Sequence, residues 1–302
     1  MEMYLITGFL GSGKTTFIKN IIKALSNKRI YLIINEFGKE GIDGSLLKEL
    51  GSTIAEINNG SIFCVCRINQ FEESLDAAVD DKPDIILAEA SGLSDPTNIR
   101  KIMAQDKYAS IDYRGAMCLV DAPRFAKVVD TALVVRKQLS ISSLVLINKT
   151  DQASLEQIKI AEQTIAEINP QADIVLTSFA QISPEILLTM RQKEYDAEAS
   201  TARDITLQKY LLTISETMKI KQLEGFLKMI ADDSYRIKGF VHLEEQLLLV
   251  DCVGSFVDVY QYTGEVVGEL NKVVVLAGKG MPTRKSIKNA MKWYDSCILK
   301  ME

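Results

Sequence analysis

The segment GFLGSGKT, residues 8–15, constrains the fold of this chain more than any other stretch of its sequence. It fits the pattern G-x-x-x-x-G-K-[ST] and lies between the apolar run MYLIT (3–7) and the amphipathic stretch TTFIKNIIKALS (15–26). In this context, backbone N–H groups and the N-terminus of a helix can surround a phosphate. The segment therefore predicts a P-loop and a nucleoside triphosphate site, because the alternative, a glycine-rich turn with a chance lysine, does not explain the flanking pattern.

Each residue type of the loop has its own expected role. Gly8, Gly11 and Gly13 allow the backbone to wrap around a phosphate. Lys14 is expected to reach the β- and γ-phosphates and to stabilise charge during hydrolysis, and the Thr15 hydroxyl is expected to bind magnesium.

The first two-thirds of the chain predict an α/β fold. Runs rich in Ile, Val and Leu alternate with amphipathic stretches, which is typical of a mostly parallel sheet with helices on both faces. We expect a P-loop domain over 1–188, a polar linker over 189–205 and a smaller α+β domain over 206–302. The C-terminal order β-α-β-β-β-α predicts a small sheet with helices on one face, and RKSIKNAMKWYDSCIL (284–299) is predicted to close the chain as a helix.

The segment NKTD (148–151) indicates which base the site binds. It follows the apolar run SLVLI directly, at the C-terminal end of a predicted strand, where ligands bind in open α/β sheets. Asp151 can accept two hydrogen bonds from N1–H and the 2-amino group of guanine, a donor pair that adenine lacks. Asn148 is expected to contact the other edge of the ring, and the aliphatic part of Lys149 to cover its face. A capped turn is the alternative, but the position after a P-loop favours GTP.

Two further segments are expected to border the nucleotide. TSFA (177–180), with Ser178, ends the next predicted strand and is expected to complete the base pocket through backbone groups.

DIILAEASG (84–92) places Glu89 at the end of an apolar strand and Gly92 shortly after it. Glu89 is expected to hold magnesium through water and the Gly92 N–H to contact the γ-phosphate. The alternative for Glu89 is a solvent-facing residue at a strand end.

Composition and hydropathy argue against nucleic-acid binding, membrane insertion and secretion. With 35 basic and 40 acidic side chains and a net charge of -5, the chain has no excess of cations for nucleic-acid binding. No apolar run approaches the about 18 residues that span a bilayer, and no secretory signal is expected at the N-terminus. Five unevenly spaced cysteines do not form a disulfide framework, which predicts a cytoplasmic protein.

Several motifs together resemble the CobW-like family of metal-handling P-loop GTPases, relatives of the nickel-insertion GTPases of urease and hydrogenase maturation. In order, they are GFLGSGKTT, INEFGKEGID (34–43), NNGSIFCVCR (58–67), AEASGL and INKTD, and KGFVHL, LLLVDCVG and VVVLAGKGM are similar to that family's C-terminal domain. The resemblance implies slow GTP hydrolysis that a metal or partner alters, and delivery of zinc or cobalt to a client metalloprotein or cofactor-dependent enzyme. It adds Ser12 and Thr16 to the phosphate and magnesium site and makes Glu89 the Walker B carboxylate.

The region that the resemblance implies for the transition metal departs from the family's C-x-C-C pattern. Residues 61–64 read Ser-Ile-Phe-Cys, and Cys66 adds a thiol beyond Cys64. These two thiols, with Glu36 from the implied switch I region, are the expected transition-metal ligands, and Glu40 and Asp43 of the same region are the alternative carboxylates. Asp43 of the same region, or Glu89, is expected to orient the attacking water. The alternatives for the cysteine pair are small buried residues at a helix start, and, third, a redox pair.

Two classes of function remain open. The first is a GTP hydrolase that couples its nucleotide state to metal delivery and is accelerated by a partner or by a second protomer in a homodimer. The second is a metal-free regulatory GTP switch, which the lost cysteines and the single histidine favour, because many family members carry a His-rich loop. An ATP-dependent kinase is a third hypothesis, but the segment NKTD argues against it because it favours guanine over adenine. Cys118, Cys252 and Cys297 are expected to be packing residues, and His242 a strand residue.

Overall fold

A computed structural model describes residues 1–34, 53–56, 68–193, 207–253, 256–264, 266, 269–278 and 280–302. Its contacts divide the chain into two compact units, Met1–Asp204 and Ile205–Glu302. The predicted linker, 189–205, is described only as far as Lys193. Five residues that the sequence singles out, Glu36, Glu40, Asp43, Cys64 and Cys66, lie outside the described residues.

In the part of the first unit that the structure describes, seven strands form a parallel sheet. The strands in chain order are β1 (Glu2–Gly8), β2 (Ile30–Ile34), β3 (Thr53–Glu56), β4 (Ile85–Glu89), β5 (Asp112–Asp121), β6 (Ser142–Asn148) and β7 (Asp173–Leu176). Their spatial order is β3-β2-β4-β1-β5-β6-β7. Strands β2, β4 and β6 are buried along their whole length, which is why their sequences are nearly continuous apolar runs. The predicted parallel sheet is confirmed.

Helices cover this sheet on both faces. They are α1 (Lys14–Ala24), α2 (Ile68–Asp81), α3 (Ile99–Met103), α4 (Phe125–Thr131), α5 (Leu133–Ser140), α6 (Leu155–Ile168) and α7 (Pro184–Thr189). Successive side chains of β1 point to opposite faces. Tyr4 and Ile6 therefore join one core cluster with residues of α1, whereas Met3 and Leu5 join a second cluster with residues of α2. No helix in the described part of the chain is long and apolar enough to cross a bilayer.

The described residues of the second unit form a six-stranded antiparallel sheet with two helices. Its elements are β8 (Leu207–Ile214), α8 (Ile220–Ala231), β9 (Arg236–Leu243), β10 (Gln246–Val253), β11 (Phe256–Gln261), β12 (Lys272–Gly278), α9 (Thr283–Trp293) and β13 (Ile298–Met301). Both helices contribute to one core cluster with the inner face of the sheet. The predicted α+β unit with helices on one face is confirmed, and His242 lies in β9, as predicted.

The predicted order of elements in this unit is wrong in two places. Among the described residues, four strands, and not three, lie between α8 and α9, and β13 follows α9 where a helix over 284–299 was predicted. The helix ends at Trp293 because a turn follows, in which the Cys297 N–H donates to Tyr294 O at 3.0 Å and Ser296 has a φ of 66°. Ile298 is then buried where β13 pairs with β8, so sheet pairing overrides the helical pattern.

Candidate nucleotide-binding site

The loop between β1 and α1 has a backbone conformation that favours glycine. Gly8, Gly11 and Gly13 have φ angles of 136°, 75° and 104°. A Cβ atom at Gly8 would lie 2.3 Å from Leu119 O, and one at Gly13 would lie 2.4 Å from Asn148 Nδ2. The glycines therefore allow the loop to lie directly against the carboxyl ends of β5 and β6, where no side chain fits.

The N-terminus of α1 is suited to an anion. Gly13 is its N-cap and has no side chain to accept the first N–H groups, and the first turn contains no acidic residue. Ser12 is buried, and its Oγ atom has no hydrogen-bond partner among the described residues. Thr15 is half-buried and Thr16 is exposed in the same turn. Because the first N–H groups and the helix dipole attract negative charge, this end of α1 fits a phosphate group.

Lys14 places a positive charge inside the loop. It is 8% exposed, and its Nζ donates to Gly8 O at 2.8 Å and to Phe9 O at 3.2 Å. Burial raises the pKa of the neighbouring Cys118 thiol to about 12, although the charge of Lys14 opposes the shift. This thiol is therefore protonated at neutral pH and does not neutralise the lysine.

The three cysteines that the structure describes, Cys118, Cys252 and Cys297, are all buried and free, which confirms their prediction as packing residues. Burial also raises the pKa of Cys252, to about 11. A protonated thiol is a poor metal ligand. Within the described ranges, no group of three or more His, Cys, Asp or Glu residues is arranged to hold a metal ion.

Glu89 and Gly92 lie next to the P-loop. Glu89 ends β4, where it pairs with Ile6 of β1, and it is only 8% exposed. The solvent-facing alternative for Glu89 is therefore wrong. A Cβ atom at Gly92 would lie 2.8 Å from both Leu10 N and Leu10 Cδ2, so this part of the chain touches the P-loop backbone. The structure thus brings Glu89, Gly92 and the P-loop together at one end of the sheet.

Helix α5 holds the loop that contains Gly92. Gln138 is fully buried, and its Nε2 donates to Gly92 O at 3.3 Å and to Ser94 O at 3.1 Å. Beside it, Lys137 forms an ion pair of 2.7 Å with Asp95. Sequence reasoning missed these residues, since the only signal is a glutamine within the otherwise half-apolar stretch LVVRKQLS.

Asn148 connects the P-loop to the segment TSFA. It is 2% exposed, its Nδ2 donates to Ser12 O at 2.8 Å, and its Oδ1 accepts from the Ala180 N–H at 2.8 Å. Sequence reasoning missed this bridging role. The bond to Ser12 uses one of the two amide hydrogens and leaves the other for a further acceptor. The expected contact with a base edge stays a prediction.

Replacing Asn148 with alanine is expected to lower the free energy of unfolding by about 2 kcal/mol, because Ser12 O and the Ala180 N–H would lose buried partners. Urea denaturation of the nucleotide-free protein measures this effect. Asn289→Ala, at an exposed position of α9, is the control and is expected to leave stability unchanged. Equal stability of Asn148→Ala and the control would contradict the bridge.

The rest of the NKTD turn is held by neighbouring strand ends. Lys149 has a φ of 61°, and its Nζ lies 2.6 Å from Asp121 Oδ2. The Thr150 hydroxyl lies 2.9 Å from Ser178 Oγ, and Asp151 is exposed. Asp121 is a further residue that sequence reasoning missed, although it directly follows the apolar residues AMCLV of the predicted strand GAMCLVDA. The turn therefore presents the Asp151 carboxylate to solvent beside a fixed Lys149 side chain.

A parallel sheet whose first strand leads through this loop into α1 defines a P-loop NTPase fold. The family model "CobW/HypB/UreG, nucleotide-binding domain" matches residues 2–176. The chain belongs to this family, which confirms the resemblance seen in its motifs.

Three known proteins show how far the similarity extends. Zinc chaperone CobW of Sinorhizobium sp is 27% identical over 304 residues, covering 84% of this chain and 86% of that protein. Zinc chaperone YeiR of Escherichia coli (strain K12) is 30% identical over 205 residues, covering 66% of this chain and 61% of that protein. The crystal structure of Zn(II)-bound YjiA GTPase from E. coli is similar in fold, with a TM-score of 0.51 and 19% identity, covering 97% of this chain and 98% of that one.

Proposed function

We propose that this chain binds GTP with magnesium, hydrolyses it slowly, and uses its nucleotide state to control delivery of a transition metal to a client. The client is a metalloprotein or a cofactor-dependent enzyme, and the metal is zinc or cobalt. The observation that carries the proposal is the contact of Gly92 with Leu10 together with the Asn148 bridge from Ser12 to Ala180. Relatives named as zinc chaperones support the proposed delivery of a transition metal.

The P-loop residues are proposed to hold the phosphates. Lys14 moves from the loop carbonyls to the β- and γ-phosphates, and the Thr15 hydroxyl and Glu89, the latter through water, face the magnesium ion. Magnesium, when bound, would supply positive charge that stabilises the phosphate oxygens. Further nucleotide contacts are proposed for Gly8, Gly11, Ser12, Gly13, Thr16 and Gly92.

The NKTD turn is proposed to bind guanine. Asp151 accepts from N1–H and the 2-amino group, and Lys149, held by Asp121, covers one face of the ring. Asn148 contacts the opposite edge, and Ser178 supports the pocket through Thr150.

Hydrolysis is proposed to proceed by in-line attack of water on the γ-phosphorus. The bond from this phosphorus to the bridging oxygen breaks, and GDP and inorganic phosphate form. Lys14 and the loop N–H groups stabilise the charge that develops on the phosphate oxygens. Glu89 or Asp43 orients the water, and a client or a second copy of the chain accelerates an otherwise slow turnover.

The topology supports a link between nucleotide and metal. Ile34, Glu56 and Glu89 are register partners at the carboxyl ends of the neighbouring strands β2, β3 and β4. The segment with Glu36 follows β2, and the segment with Cys64 and Cys66 follows β3. Both segments therefore leave the sheet at the same edge as Glu89. We propose that Glu36, Cys64 and Cys66 hold the transition metal, and that loss of the γ-phosphate releases it.

Replacing both Cys64 and Cys66 with serine is expected to abolish metal binding, because serine hydroxyls are far weaker ligands for zinc and cobalt(II) than thiolates. Titration of metal-free protein with cobalt(II), followed by the thiolate absorption band, measures the stoichiometry, and GTP turnover is measured in parallel. The buried-cysteine variant Cys297→Ala is the control and is expected to bind as the wild type does. Unchanged stoichiometry in the double variant would contradict the cysteine site.

One observation favours a second function, a GTP switch that binds its client without metal. Residues 61–63, Ser-Ile-Phe, stand where the family's motif has its first two thiols. A metal-free preparation that still binds its client in a GTP-dependent way would support this second function over metal delivery.

A further inference from the structure

The segment after β7 exposes an aromatic side chain on an unfavourable backbone. Phe179 is 66% exposed, and the φ angles of Phe179 and Ala180 are 56° and 53°. Positive φ is uncommon for a residue with a Cβ atom and costly for a bulky one. Two such residues in succession persist only where the surrounding structure holds them.

Two asparagines hold this segment. Asn20 of α1 donates from Nδ2 to Phe179 O at 2.9 Å and to Ala180 O at 3.1 Å. Asn148 accepts from the Ala180 N–H at 2.8 Å. The backbone is therefore held by the P-loop helix on one side and by the NKTD turn on the other, whereas the Phe179 ring projects into solvent.

The position of Phe179 is next to the base end of the proposed nucleotide site. Ser178 is hydrogen-bonded to Thr150 of the NKTD turn. On the other side of Phe179, the Ala180 Cβ lies 3.9 Å from where a Cβ atom at Gly13 would stand. The ring is thus carried between a residue that touches the base-binding turn and a residue that touches the P-loop.

The other large apolar residues that are exposed in the described part of the chain lack this combination. Leu155 is 87% exposed and Trp293 is 80% exposed, but neither has a positive φ. An exposed ring on a backbone that two buried or half-buried amides hold in place is better explained by a ligand than by packing.

We propose that the Phe179 ring stacks on the purine base of the bound nucleotide, on the face opposite the Lys149 side chain. The inference rests on the proposed function, since it requires a nucleotide in this site. Stacking uses the π-face that every base has, so it adds affinity without choosing the base. Phe179 therefore strengthens GTP and GDP binding equally, and Asp151 provides the preference for guanine.

The test compares GTP and GDP affinities of the wild type with those of Phe179→Ala, Phe179→Gly and Phe179→Tyr, by displacement of a fluorescent GDP derivative. The alanine and glycine variants are expected to lose about tenfold in affinity for both nucleotides, and tyrosine is expected to retain it. Leu155→Ala is the control and is expected to bind as the wild type does. Phe179→Gly is also expected to raise the melting temperature of the nucleotide-free protein, because glycine adopts positive φ freely.

The outcomes separate this inference from the proposed function. Wild-type affinity in Phe179→Ala, or a loss for GTP but not for GDP, would overturn the stacking, since the base is common to both nucleotides. A wild type that binds neither GTP nor GDP would overturn the proposed function instead. Weaker binding by a Phe179→Gly variant that melts at a higher temperature supports the stacking and excludes misfolding as the cause.

Discussion

Lys14→Ala is expected to lower the rate of GTP hydrolysis by at least about a hundredfold, because the ammonium group is the one side-chain cation that we assign to the γ-phosphate. The Nζ atom already lies inside the P-loop, 2.8 Å from Gly8 O. In the proposed mechanism it would move to the phosphates and stabilise charge that increases in the transition state, so the loss is expected in kcat as well as in GTP affinity. Phosphate release at saturating GTP measures the first effect, and equilibrium binding measures the second.

The matched control for this substitution is Lys23→Ala, at an exposed position in the last turn of the same helix. It removes the same charge from the chain and is expected to keep the wild-type rate. Thermal melting of Lys14→Ala checks that the loop still folds without the bonds to Gly8 and Phe9. A folded Lys14→Ala variant with the wild-type rate would contradict the assignment of the P-loop.

Asp151→Asn is expected to reverse the preference for the base. In the proposed site, the carboxylate would accept from two guanine donors, whereas the amide of asparagine would accept from only one of them and present its own N–H group to the other. Affinity for GTP is therefore expected to fall by about a hundredfold, while xanthosine triphosphate, which has a carbonyl in place of the 2-amino group, binds more tightly. Because Asp151 is exposed, the substitution is expected to leave the fold unchanged.

Competition of GTP, xanthosine triphosphate and ATP against a fluorescent nucleotide measures this reversal. Asp130→Asn, whose side chain is 75% exposed on α4, is the control and is expected to preserve the preference for GTP. A wild type that prefers ATP would favour the kinase reading, and an unaltered preference in Asp151→Asn would remove this residue from the base site.

Local features of the sequence predicted the parts of the site that depend on backbone geometry. The spacing of Gly8, Gly11 and Gly13 predicted a loop that the structure shows in left-handed conformations. Continuous apolar runs predicted the buried strands β4 and β6, and the carboxyl ends of parallel strands meet at one edge of a sheet. This is why Glu89 and Asn148 could be expected near the P-loop.

Contacts between distant residues could not be predicted in this way. Asn20 and Phe179 are 159 positions apart, and Asn148 and Ser12 are 136 apart. Gln138 likewise reaches Gly92 from a helix that carries no motif. A side-chain amide has no periodicity or spacing that identifies its partner, so these bridges become visible only in the fold.

The end of the chain shows how tertiary structure overrides a local pattern. The run over 284–299 has helical spacing, but its last part is held by β8 through pairs such as Ile298 with Ile214. Ile298 and Cys297 are buried in the core of the second unit. A helix continued to 299 would remove Ile298 from this pairing, so the strand is the more stable alternative.

The proposed coupling between nucleotide state and metal binding is tested most directly by the zinc affinity of the wild type, measured once with a non-hydrolysable GTP analogue and magnesium, and once with GDP and magnesium. If the nucleotide state controls metal binding, the two zinc affinities are expected to differ by about tenfold or more, with the tighter binding in the GTP-analogue state. By linkage, zinc is then expected to favour the GTP analogue over GDP by the same factor. Equal zinc affinities in the two states would contradict this coupling, even if both metal and GTP bind.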